Sequence, residues 1–183
     1  MNNNIGDLMK MSLNLAMVLF LGLFIAVLGY PFLHELGHGM VAVLVGASIK
    51  DFRMFPVAYV LCNVYGIGDF GQVLIGISGM LFPFICGIII HCKNFWLWYV
   101  GLVLNIISTI AFTISIVGCF LFEKNPIQND DITQILNINA IPKIFWIIVF
   151  SVLIIWSVFR IINSCPITRC DNYFFKSKMS DYK

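Results

Sequence analysis

The chain has 183 residues, of which 60% are hydrophobic and only 11% charged, with a mean hydropathy of +0.94. A soluble core of this size needs no such apolar excess, so the composition excludes an ordinary globular enzyme and indicates a polytopic membrane protein. A formal charge of +2 with scattered Lys and Arg offers no basic groove or stripe, which excludes nucleic acid as a partner.

The first apolar stretch, about 12–47, contains an almost unbroken run from Leu15 to Val45. It is far longer than the hydrophobic region of a signal peptide and lacks a small-residue cleavage pattern, so it is expected to remain in the mature protein. At 1.5 Å per residue that run measures roughly 46 Å against a hydrocarbon core of ~30 Å, so it must tilt, kink or emerge. Pro31 is the natural kink.

Within this run His34-Glu35-Leu36-Gly37-His38 reads HExxH. On a helix, side chains at i and i+4 lie about 40° apart around the axis and roughly 6 Å apart along it, so both imidazoles reach one metal ion. Glu35, about 100° round from His34, is then placed to hold the water a bound metal activates. Glu and two His in hydrocarbon are costly to insert and mark function in such segments. The bland alternative is a polar turn solvated at the membrane surface.

Residues 48–70 mix short apolar pairs with Lys50, Asp51, Arg53, Pro56, Asn63 and several glycines, which suits a short hairpin or re-entrant loop. Further apolar stretches at about 72–91, 95–122 and 142–163 are each long enough to span a bilayer. The expected fold is therefore an all-α polytopic membrane protein with about four transmembrane helices. A fifth arises if the first stretch is split at Gly29-Tyr30-Pro31. Residues 1–165 are expected to form one membrane-embedded domain and 166–183 a short polar C-terminal tail, the whole being a multi-pass protein of the cell membrane. Phe95, Trp96, Trp98 and Tyr99 at the start of the third span read as interfacial anchors. Cys62, Cys86, Cys92, Cys119, Cys165 and Cys170 show no CxxC pair or disulfide spacing and read as reduced thiols.

A hydrolytic metal site needs a third protein ligand beside the two histidines. Four spans put Asp51, Asp69, Glu123, Asp130 and Asp131 on the membrane side where the first helix ends, and His91 on the other. The stretch Asn125-Pro126-Ile127-Gln128-Asn129-Asp130-Asp131-Ile132 leads into a short helical run, Ile132 to Leu136. Asp130 is the expected ligand and Asp131 the alternative; the competing reading is that both only cap that helix.

These residues resemble the site-2 protease-like intramembrane zinc metalloproteases. HELGH matches in full, and the approach with Gly37, Gly39 and Gly46 is similar. So is Gly76-Ile77-Ser78-Gly79, which looks like that family's close-packing segment. Asn125, Pro126 and Asp130 partly match an Asn-x-x-Pro…Asp-Gly pattern, but Pro126 follows Asn125 directly and Asp131 stands where Gly is usual.

The resemblance implies a zinc-dependent metalloendopeptidase: Zn²⁺ held by His34, His38 and Asp130, with Glu35 as general base. The implied partners are the lipid bilayer and a membrane-anchored protein or peptide substrate, locally unwound because a helix buries its carbonyls in its own hydrogen bonds. Asn105 in the third span is read either as a substrate-backbone ligand or as an interhelical hydrogen bond. Two other classes remain: a non-catalytic membrane protein that keeps the fold or metal site, and an ion transporter relaying charge through His34, Glu35 and His38.

Overall fold

The computed structural model describes residues 2–90, 93–121, 131–138, 141–164 and 166–174. Helix α1 (Asn2–Phe24) runs through one π turn, Ile25–Gly29, into α2 (Tyr30–Leu44). Together they make a continuous apolar span, Met9–Leu44, of 36 residues. The π turn lies just before Pro31, which has no N–H and whose ring crowds the carbonyl four residues back. The Tyr30 N–H instead reaches five residues back to the Ile25 carbonyl, the spacing of a π turn. The first stretch is thus one interrupted helix, and among the described residues the candidate spans number four, as expected from the chain's apolar stretches.

Helix α2 ends at Gly46, whose φ of +87° is open to glycine at little cost. The N–H groups of Gly46 and Ala47 donate back to the carbonyls of Val43 and Ala42. The chain then turns directly into an antiparallel hairpin, β1 (Ser48–Arg53) and β2 (Tyr59–Asn63), with Ser48 opposite Asn63 and Arg53 opposite Tyr59. Helix α3 (Asp69–Ile89) begins with an acidic residue in its first turn, favourable to the helix dipole, and carries Pro83 in its interior. Helices α4 (Phe95–Leu121), α5 (Asp131–Asn137), α6 (Lys143–Asn163) and α7 (Pro166–Phe174) complete the chain.

Lipid is as apolar as leucine, so the helices are held by close packing and hydrogen bonds more than by expulsion of apolar surface. Helix α2 packs chiefly on α3, α3 on α4, and α4 on α6. The α2–α3 contact relies on small residues: a Cβ on Gly37 would lie 2.5 Å from the Ser78 carbonyl oxygen, and one on Gly79 would overlap the His38 imidazole. Between α4 and α6, Thr109 and Ser157 hydroxyls meet at 2.5 Å, and the Ser157 hydroxyl donates to the Asn105 carbonyl. The apolar core joins Phe84, Phe112, Trp146 and Phe150 with Ile132 and Ile135 of the short α5, which fixes α5 between the spans. A second cluster, Ala42, Ala47 and Ile75 with Cys62 and Val64 against it, ties the hairpin to α2 and α3.

The aromatic group at the start of α4 departs from a simple interfacial belt. Trp98 is buried, with the Arg169 guanidinium 5.2 Å above its ring, and Phe95 stacks on Tyr173 at 3.9 Å. Part of the C-terminal segment is therefore a helix clasped to α4.

Candidate metal centre

His34 and His38 lie one turn apart on the face of α2 that meets α3 and α5. Their Nε2 atoms are 3.1 Å apart. Asp131, the first residue of α5, brings Oδ2 to 2.9 Å from His34 Nε2 and 3.2 Å from His38 Nε2. Among the described residues, Asp131, the alternative offered by the sequence, is the carboxylate seen against the histidines. Asp130, Glu123, His91 and the Asn125-Pro126 pair lie outside the described residues. Asp51 is engaged elsewhere, accepting from the Tyr59 hydroxyl at 2.6 Å and pairing with Arg53 at 3.2 Å.

The tautomer of His38 gives the group its meaning. His38 is 5% exposed, and its Nδ1 lies 2.7 Å from the Ile75 carbonyl oxygen, an atom that can only accept. Nδ1 therefore carries the proton, and in the neutral ring Nε2 presents a lone pair. That lone pair faces a carboxylate oxygen and a second imidazole nitrogen. Three such acceptors at 2.9–3.2 Å repel one another unless a cation or a proton sits between them. Ligands of a tetrahedral zinc at ~2.0–2.1 Å stand roughly 3.4 Å from one another, close to the spacing observed, and an N₂O donor set suits that ion. The residues fit a divalent metal, with the Ile75 carbonyl as the outer partner that orients one ligand.

Glu35 extends toward the hairpin, where its Oε2 accepts the main-chain N–H of Val60 in β2 at 2.8 Å. A cleft of about 870 Å³ opens between the hairpin, α3 and α5, lined by Glu35, His38 and Asp131 at one wall and by Tyr59–Cys62, Asp69, Gln72, Gln134 and Asn137 elsewhere. Asn105 does not reach it. That side chain donates to the Gly101 carbonyl of its own helix and abuts Gly87, more than two turns along α3 from the Gly79 that faces His38.

Sequence reading missed two participants. The Ile75 carbonyl and the Val60 amide are main-chain groups with no side-chain signature.

Four apolar helices fit a multi-pass membrane protein, and the half-buried His–His–Asp group on α2 and α5 is a donor set that could hold a metal ion. The family model Peptidase M50B-like matches residues 24–118, just over half of the chain, a region that contains HELGH, the hairpin, α3 and most of α4. The chain belongs to that family and is a site-2 protease-like membrane protein. Peptidases of this kind are metal-dependent in general. Comparison with curated proteins and with solved structures returned no match.

Proposed function

We propose that this protein is a zinc metalloendopeptidase that cleaves membrane-anchored proteins or peptides at the level of the bilayer. The observation that carries the reading is the meeting of Asp131 Oδ2 with both histidine Nε2 atoms beside Glu35 and an open cleft. In this reading His34, His38 and Asp131 hold the ion. Zinc in such a site supplies Lewis acidity, lowering the pKa of water toward ~7 and polarising a peptide carbonyl.

The chain's own groups do the rest. His38, locked by the Ile75 carbonyl, keeps its ligand nitrogen aimed at the site. Glu35 takes the proton of the attacking water and passes it to the leaving amine, a role that needs a carboxylate within reach of both. The cleft, walled by a strand and two helices, accepts an extended segment and not an intact helix, whose carbonyls are occupied. A membrane-anchored substrate therefore unwinds locally before it is cut.

Substitution of Glu35 by Gln tests the chemistry without disturbing the metal ligands. With a quenched fluorescent peptide carrying one apolar segment interrupted by Gly-Pro, in detergent, the wild type is expected to cleave and Glu35→Gln to lose at least a hundredfold in kcat. Equal rates in the two proteins would remove Glu35 from the mechanism. No cleavage by zinc-loaded wild type would favour a non-catalytic member of the family.

A further inference from the structure

We propose that the β1–β2 hairpin is part of the catalytic machinery, with the main-chain N–H of Val60 as the group that positions the general base. This rests on the protease reading of the site above. The hairpin is docked along one stripe of α2. Phe32 meets Phe52 edge-on at 6.5 Å, and a Cβ on Gly39 would lie 3.4 Å from Ile49 and 3.8 Å from Val60. Ala42 joins the cluster that holds Cys62. Positions 32, 35, 39 and 42 share a helical face, and Glu35 is the one ionisable residue among them.

Val60 stands opposite Phe52 of β1, yet its N–H donates away from β1 to Glu35 Oε2 at 2.8 Å. The amide therefore belongs to the outer edge of β2, the edge that lines the cleft. Among the described residues no other group donates to the Glu35 carboxylate. A glutamate has three rotatable side-chain bonds and wanders unless held. One charge-assisted hydrogen bond to a main-chain donor fixes one oxygen and leaves the other without a main-chain partner. The donor sits on a strand whose place is set by α2 itself, so the base and the two histidines are referenced to one helix, while Asp131 comes from α5.

Proline at position 60 removes the N–H without breaking the β1–β2 ladder, because the lost donor points to the strand's free edge. With the same fluorescent peptide, Val60→Pro is expected to lower kcat by about tenfold or more, with KM within about twofold and zinc content unchanged. Val60→Ala, which keeps the donor but trims a side chain on the cleft wall, is expected to keep a kcat about fivefold or more above that of Val60→Pro. Independently of cleavage, the Val60 amide is expected to exchange hydrogen at least tenfold faster in Glu35→Ala than in wild type. Wild-type kcat in Val60→Pro, equal losses in Val60→Pro and Val60→Ala, or unchanged exchange in Glu35→Ala would each overturn the proposal. If Val60→Pro fails to fold, the exchange comparison decides. A zinc-loaded wild type that cleaves nothing overturns the protease reading and with it the catalytic role of the amide, while the exchange result still settles whether the contact exists.

Discussion

Gly79 is the residue on which the ligand geometry turns. A Cβ at that position would overlap the His38 ring, so the imidazole reaches its place only because α3 presents a bare main chain there. Gly79→Ala must displace the ring or the helix, and the variant is expected to bind zinc about tenfold or more less tightly, measured by competition with a chromogenic chelator. Affinity equal to wild type would show that His38 is free to relocate. The histidine pair was legible because i and i+4 on a helix is a local relation. The carboxylate beside it was only half legible. Sequence narrowed it to Asp130 or Asp131, but adjacent residues at a helix start project about 100° apart, and the packing of Ile132 and Ile135 into the core is what brings Asp131 to α2. Trp98, read as an anchor, is instead buried beneath Arg169, since nothing local distinguishes a belt tryptophan from one covered by a distant helix.

At the scale of elements, length and hydropathy identified the four spans, and the Pro and Gly content of 48–70 marked the hairpin. The π turn was legible only through Pro31, because the extra residue in a turn leaves no composition of its own. The hairpin, which is not part of the spanning helices, carries a pH dependence. The Tyr59 hydroxyl, aided by Arg53, holds the exposed Asp51 carboxyl below its ordinary value. A depressed carboxylate stabilises the folded form at pH above its unfolded value of about 3.9 and loses that contribution as pH falls through the lower folded value. Hydrogen-exchange protection of the hairpin is thus expected to weaken on acidification below about pH 4, and Tyr59→Phe to reduce that dependence. At the other end, Tyr173 stacked on Phe95 helps fasten α7 to α4. Tyr173→Ala is expected to cost about 0.5–1.5 kcal/mol in detergent unfolding while leaving metal content unchanged. Loss of the metal in that variant would mean that α7 supports the centre.

The molecule as a whole keeps its ionisable ligands in one place and leaves most of its outer surface to lipid. Leu13, Phe20 and Leu23 of the first span and Ile148, Ile155 and Phe159 of α6 are all exposed, as lipid-facing positions are. Charge-bearing ligands reach the interior from one span and from a short helix between spans, so no chain of ionisable groups crosses the bilayer among the described residues. That pattern suits a hydrolytic site better than a transport path. In the proposed function His34, His38 and Asp131 form a zinc site. Metal content by mass spectrometry of detergent-purified wild type, His38→Ala, Asp130→Ala and Asp131→Ala tests it directly. About one zinc per chain in wild type and Asp130→Ala, lost in His38→Ala and Asp131→Ala, is the expected result. Zinc retained in Asp131→Ala, or absent from folded wild type protected from chelators, would contradict it.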